Sequence, residues 1–303
     1  MQVGIFYSSI SNPTKFSNKT MLMDNFRIGV ESSNDIPVNY MDYSLNMEHL
    51  DAGFVLGYTL QDNFRKIIIN SLIEKNIPRI FVDSNILGYA NPNHKWHRYS
   101  LNSVYPDDGI YFFGELDKTK WDTYSKFHNV ELKPWRNTGN HILIFCQRPK
   151  GWNLFGINQE RWLDKTMTKI RKHSDRPIIV RMHPGDGSRF KQIEVLNQKY
   201  GNSIIISQNQ NITDDLKNCW CTVGYNSTPN VVSTIEGIPS IITDPIHSWG
   251  QGISGEKLNT IEDPIMPDRE EWIHRIANIH WSDEEIYSGK LWSMIKNYIS
   301  SVR

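Results

Sequence analysis

Residues 219–245 read CWCTVGYNSTPNVVSTIEGIPSIITDP, and the order of residue types along them decides the fold class. The apolar run 219–223 has the length and content of a buried strand. Gly224 lets the backbone turn, and Pro229 suits the first turn of a helix, where its missing N–H costs nothing. Residues 229–236 then read as a helix that Gly237 stops, and residues 239–243 as the next strand. Two strands joined by so compact a crossover helix form a βαβ unit, whose strands run parallel.

The same alternation extends in both directions. Residues 141–146, 177–182 and 203–206 read as strands. Helices are expected over 159–172, with Trp162, Leu163, Met167 and Ile170 inward, over 190–200, and as one turn at 214–218. In the first half, 3–7, 53–56, 79–82 and 110–113 read as strands, and 63–75 as a helix turning Phe64, Ile67, Ile68 and Leu72 to one face. Helices over 269–279 and 283–299 end the chain. Residues 131–140, with Pro134, Asn137 and Gly139, are polar and turn-rich and make the best linker. A second complete βα series does not fit the first sheet without very long crossovers. The expected fold is therefore α/β, two Rossmann-like domains (1–135 and 136–303) facing across a cleft.

The formal charge is zero, 33 Lys and Arg against 33 Asp and Glu, which neither favours nor excludes a polyanionic partner. The distribution is uneven: residues 148–191 hold eleven basic and four acidic side chains, residues 244–285 three basic and ten acidic. A phosphate-facing segment followed by a solvated acidic one fits this polarity, and solvated helix faces alone would also produce it. Cys146, Cys219 and Cys221 lie in apolar runs without zinc-knuckle spacing, as buried free thiols of a reducing compartment do. The start has no signal-peptide pattern, and no run approaches the ~20 apolar residues of a membrane span. A cytoplasmic protein without a membrane partner is expected. Its oligomeric state leaves no mark in the sequence.

Three segments place polar groups at strand ends, where open parallel sheets bind ligands. After the strand 219–223, Tyr225, Asn226, Ser227 and Thr228 gather at a helix start, whose open amides suit an anion. Ser227 or Thr228 is equally suited to capping that helix. Glu236, at the far end, reads as a ribose-diol ligand or as a solvent-facing carboxylate. In PIIVRMHPGD, Arg181 and His183 end a strand: arginine offers a planar fork for phosphate, and histidine a donor or a proton-transfer group. In CQRPKGWNLFG, Arg148 and Lys150 follow the first strand of the second domain as phosphate clamps, or as a plain surface turn.

The first domain offers Asp83, directly after a strand, as a catalytic carboxylate. The stretch 88–105 interleaves His94, Lys95, Trp96, His97, Arg98 and Tyr99, which reads as a loop able to meet phosphates and stack bases, or as an ordered loop with a Trp anchor. GxGxxG, Walker A, HExxH and GxSxG patterns are all missing from the sequence, which counts against oxidoreductases, P-loop ATPases, zinc proteases and esterases. Asp107-Asp108 and Asp214-Asp215 can bind a divalent metal, but no DxD triplet occurs, and metal dependence stays open.

Taken together, Arg148, the Arg181-x-His183-Pro184 segment, Asn226-Ser227-Thr228 and Glu236-Gly237-Ile238-Pro239 resemble, in order, the donor-binding domain of GT-B glycosyltransferases, over about 100 residues. Capsule-type and sialyl-type transferases are similar in this order, and their His-Pro and Ser/Thr segments bind the nucleotide phosphates. The segments RYSLNSVYP (98–106) and IANIHWSDEEIYSGKLW (276–292) look like those of glycosyltransferase-like proteins of tailed phages. The resemblance implies an acceptor-side domain over 1–135 and a donor domain over 136–303. It also implies a nucleoside-diphosphate sugar as co-substrate, UDP-glucose by default, with no tightly bound cofactor. Arg148, Lys150, Arg181, His183, Tyr225, Asn226, Ser227, Thr228 and Glu236 would hold the donor, with Asp83 and His183 catalytic. Phage enzymes of this class glycosylate hydroxymethylated pyrimidines, so modified DNA is the implied acceptor, met by His94, Lys95, Trp96, Arg98 and Tyr99, in the host cytoplasm. A glycan, lipid or protein acceptor, or a nucleic-acid-binding or assembly protein of the same fold without turnover, are the alternatives.

Overall fold

The computed structural model describes residues 1–10, 17–41, 47–57, 63–90, 95–148 and 154–303. In chain order the strands are β1 (Gln2–Phe6), β2 (Ile36–Tyr40), β3 (Ala52–Leu56), β4 (Arg79–Asp83), β5 (Trp96–Leu101), β6 (His141–Phe145), β7 (Ile178–Arg181), β8 (Ile205–Ile206), β9 (Cys219–Gly224), β10 (Ser240–Ile242) and β11 (His280–Ser282). The helices are α1 (Asn18–Ser32), α2 (Asn63–Glu74), α3 (Lys120–His128), α4 (Gln159–Ile170), α5 (Arg189–Tyr200), α6 (Ile212–Leu216), α7 (Thr228–Ile235), α8 (Glu270–Asn278), α9 (Asp283–Tyr287) and α10 (Lys290–Val302). Two compact units divide the chain: Met1–Tyr124 with His274–Arg303, and Ser125–Ile273. The last thirty residues thus belong with the first unit, whereas a boundary near 135 would leave them with the second.

In the first unit β2, β1, β3 and β4 are parallel neighbours. β5 pairs antiparallel with β4, and β11 antiparallel with β5. Strands covered on both faces read as unbroken apolar runs, as Val3–Phe6 and Ala52–Leu56 do. Their core is aromatic, with Phe26 on α1 stacked on Phe54 at 4.2 Å and Trp292 of α10 edge-on to Phe26. α1 starts at a capping box, Ser17 accepting from the Thr20 N–H and Thr20 accepting from the Ser17 N–H. Asp35, buried, accepts from Trp292 Nε1 at 2.8 Å and from Lys296 Nζ at 2.8 Å, which ties α10 to this unit.

Several elements depart from the sequence reading. The stretch holding Trp96, Arg98 and Tyr99 is the strand β5 and is buried throughout, so the aromatic loop is not there. Its charge is tolerated because Arg98 lies opposite Asp83 in the β4–β5 register and donates to it at 2.5 Å. Residues 110–113 form no strand; Ile110 makes a single antiparallel bridge to Leu101. β2 and β11 are too short and polar to declare themselves. Gly289, at φ +83°, breaks the expected 283–299 helix into α9 and α10. On α2 the inward residues are Ile68, Ile69 and Leu72, while Ile67 is exposed; Phe64 lies outside the described side chains.

All strands of the second unit are parallel, ordered β10-β9-β6-β7-β8. Counted within the unit, the first strand (β6) is flanked by the second (β7) and the fourth (β9), the doubly wound Rossmann order. α4 buries the expected Trp162, Leu163, Met167 and Ile170. Cys146, Cys219 and Cys221 are buried free thiols. Residues 131–140 are not a loose tether: Lys133 N–H donates to Ile235 O at 2.9 Å, Arg136 N–H to Gly237 O at 2.7 Å, and the Arg269 guanidinium lies 3.8 Å over the Trp135 ring. The two cuts between the units fall instead within α3 and α8.

Candidate functional site

The chain order of the second sheet reverses between β6 and β9, and at such a switch point the loops leaving the carboxyl ends diverge and open a crevice. Gln147 and Arg148 leave β6 there, and Tyr225, Asn226 and Ser227 leave β9. Gly224 is obligatory at the turn, since a Cβ would collide with the Asn230 side-chain oxygen. Asn230 is itself fully buried on α7 and donates to Ser240 Oγ at 2.8 Å, locking the start of the helix onto β10.

Ser227 is the N-cap of α7, yet its hydroxyl caps no helix N–H. That separates the two readings of this residue: its oxygen is not spent on the helix. Ser227 and Thr228, with their backbone amides, face the positive end of an eight-residue helix, where an anion is stabilised.

His183 follows β7 and takes the Gly185 N–H on Nδ1 at 3.0 Å. Nδ1 is therefore the unprotonated nitrogen, and the ring proton sits on Nε2 as a donor. Burial holds the His183 pKa below the ordinary imidazole value, and the neighbouring Arg148 cation lowers it further. Arg148 lies so near this turn that a Cβ on Gly185 would be 2.6 Å from its guanidinium. Arg148 is exposed at the carboxyl edge, with its guanidinium beside this turn. An exposed arginine, a neutral imidazole donor and a helix N-terminus thus share one edge of one sheet.

Other expected donor ligands have different duties. Arg181 pairs with the buried Asp215 and donates to Asn209 O at 2.9 Å and Gln210 O at 2.7 Å, so its donors hold the chain after β8 rather than a phosphate. Asp215 also accepts from Ser207 Oγ and Asn209 Nδ2 at 2.7 Å, and Asp214 pairs with Lys217 at 2.8 Å, so both carboxylates of that pair have partners within the protein. Glu236 sits at the opposite end of α7, about 13.5 Å along the axis from Ser227 at 1.5 Å per residue, and pairs with Lys133. Lys150 lies outside the described residues. Among the described residues, no group of three His, Cys, Asp or Glu side chains could hold a metal ion.

A hydrogen-bonded row missed in the sequence runs along the same edge. Gln147 donates to Asn226 Oδ1, and Asn226 Nδ2 donates to Asp244 at 3.0 Å. Asp244, two residues past β10, also takes His247 Nδ1–H at 2.9 Å and the Tyr225 hydroxyl, whose pKa burial and this carboxylate push up to about 12. Phe155 packs against the His247 ring at a tilt of 31°, centroids 4.0 Å apart. The available signal was position: Gln147 and Asp244 each lie two residues past an apolar strand.

In the first unit Asp83 ends β4 as expected. Its carboxylate accepts from Arg98 and from the Ser84 N–H at 2.7 Å, and its side chain keeps 29% of its surface exposed. Trp96, Arg98 and Tyr99 are buried and Lys95 is exposed; His94 lies outside the described residues.

Two solved structures share this architecture over nearly the whole chain. One is the β-Kdo 2,4-transferase of KpsC from Thermosulfurimonas dismutans, with a TM-score of 0.58 at 14% identity over 90% of this chain and 89% of that one. The other is the β-Kdo 2,7-transferase of the same protein, with a TM-score of 0.56 at 13% identity over 96% of this chain and 100% of that one. The fold is GT-B-like. No family model and no curated protein matches the chain. Among the described residues, no helix of this GT-B-like chain is long and apolar enough to cross a membrane.

Proposed function

We propose that the chain is a nucleotide-sugar-dependent glycosyltransferase whose second unit binds the donor. The observation that carries this reading is the gathering of Arg148, the Nε2–H of His183 and the uncapped start of α7 at Ser227 and Thr228 on one sheet edge. In the reaction, an acceptor hydroxyl oxygen forms a bond to the anomeric carbon, the bond from that carbon to the phosphate oxygen breaks, and the nucleotide leaves with the electron pair. Charge grows on the phosphate, and preorganised donors aimed at it lower the barrier. In this reading Arg148, His183 and the α7 amides serve that role. Asp83, partly exposed at a strand end and held in one orientation by Arg98, takes the acceptor proton.

For the acceptor, a saccharide hydroxyl is the better reading. The two similar structures are named as Kdo transferases, and Kdo is a sugar acid. A hydroxymethylated pyrimidine in phage DNA, with UDP-glucose as default donor, rested on the resemblance to phage proteins and on an aromatic loop over 94–99, and residues 96–99 of that loop lie in the buried strand β5. Calorimetric titration with uridine, cytidine and guanosine nucleotides and their sugars tests the reading. At least one is expected to bind at millimolar Kd or tighter, with Arg148→Ala and His183→Ala each weakening it about tenfold or more. No binding by any of them, or no sugar transfer from the bound donor to any saccharide or hydroxymethylated DNA, refutes it.

A further inference from the structure

We infer that the Phe155–His247–Asp244 group is the subsite for the donor's sugar ring, an inference that rests on the donor-binding reading above. Asp244 and His247 follow β10, next to β9 in the sheet, so the group lies on the β10 side of the α7 start, while Arg148 and His183 lie toward β7. A ligand with its phosphate at Ser227 therefore has one end directed at this group.

Three features suit it to a hydroxylated ring. Phe155 keeps 42% of its surface exposed although it is a large aromatic residue, and it does so with a backbone φ of +48°, a conformation that bulky side chains avoid. An exposed apolar residue held in a strained backbone is retained by its surroundings rather than by its own preference, and such strain gathers at ligand sites. Beneath it, the His247 ring is fixed by its Nδ1–H bond to Asp244, so the aromatic platform is rigid. Asp244 is in turn held by Asn226 and Tyr225, and Asn226 by Gln147, whose Oε1 is buried with no hydrogen-bond partner among the described residues. An apolar face bordered by a few fixed carboxylate and amide groups is the pattern of a small polar ligand's pocket: the C–H face of a sugar meets the aromatic ring, and its hydroxyl groups meet the polar border.

The test separates the sugar from the nucleotide. UDP, CMP and GDP, and UDP-glucose, UDP-N-acetylglucosamine, CMP-N-acetylneuraminate and GDP-mannose, are titrated into the intact chain and into Phe155→Ala, His247→Gln and Asp244→Asn. For the nucleotide sugar that binds, each variant is expected to lose about tenfold or more in affinity, while the corresponding free nucleotide keeps its Kd within about twofold. Retained nucleotide affinity also shows that the variants are folded, and Phe155→Ala, which removes no hydrogen bond, keeps the result readable if Asp244→Asn disturbs the loop. Equal losses for nucleotide and nucleotide sugar, or no loss for either, overturn the subsite. Failure of the unaltered chain to bind any of these compounds overturns the donor-binding reading instead.

Discussion

Two arginines at the carboxyl edge of the second sheet illustrate how a residue's surroundings decide its use. Arg181, the last residue of β7, and Arg148, three residues past β6, have the same chemistry. Arg181 faces Asp215, whose side chain is 2% exposed, and two carbonyl groups; Arg148 is exposed beside His183. Removing one partner of a buried pair strands the other charge in a medium that solvates it poorly, at about 3–5 kcal/mol. Arg181→Ala is therefore expected to lower stability by that amount in urea titrations, whereas Arg148→Ala leaves the urea midpoint in place and weakens nucleotide binding. A drop in stability for Arg148→Ala, or none for Arg181→Ala, contradicts this division of roles.

At the scale of the element, the starts of α7 and α9 differ in what their serines do. Ser282 accepts from the Glu285 N–H at 3.2 Å, and Glu285 answers to the Ser282 N–H at 3.0 Å, a complete capping box. Ser227 occupies the same position on α7 without a capping bond. Loss of a used cap costs about 1 kcal/mol. Ser282→Ala is expected to destabilise by about that much with no effect on ligand affinity. Ser227→Ala should leave stability within about 0.5 kcal/mol and weaken the bound nucleotide. Thermal melts with and without nucleotide distinguish the two, and equal behaviour of the two variants would remove α7 as an anion site.

Across the whole molecule, stability is expected to fall in two stages as pH decreases. His128 is buried and its pKa is brought down to about 4 by that burial, against ~6.5 in an unfolded chain. Between those values the unfolded chain binds more protons, so stability is lost as pH falls from about 6.5 to about 4. At 1.36 kcal/mol per unit the loss is on the order of 3 kcal/mol, and His128→Gln should remove most of it. Below that range Asp35 follows: burial alone would raise its pKa, but the bonds from Lys296, the chain's amino terminus and Trp292 hold it below the ordinary carboxylate value. Its contribution is present above the unfolded pKa and disappears as pH falls through the lower, folded one. A pH series of urea midpoints checks both stages. The return of residues 274–303 to the first unit makes a further prediction: a chain cut after Ile273 loses β11 and α10 from that unit's sheet and core. Hydrogen exchange on such a chain is expected to show protection lost over β1–β5 and kept over β6–β10.

The alternation of strands and helices in residues 141–243, the turn at Gly224 and the strand-end positions of Asp83, His183 and Ser227 were legible in the sequence. They depend on local patterns: apolar spacing, a glycine that no side chain can replace, and the first turn of a helix. Which polar groups are free to meet a ligand was not legible. Arg98 and Arg181 look available until Asp83 and Asp215 are brought against them, 15 and 34 residues away. Asp244 gains its importance from Asn226 and His247, and β5 is buried because a neighbouring strand supplies the counter-charge. A buried charge is stable when its partner arrives through the fold, and no periodicity in the chain records that meeting. The tertiary structure alone therefore decided which of these basic residues are paired inside the fold and which stay exposed.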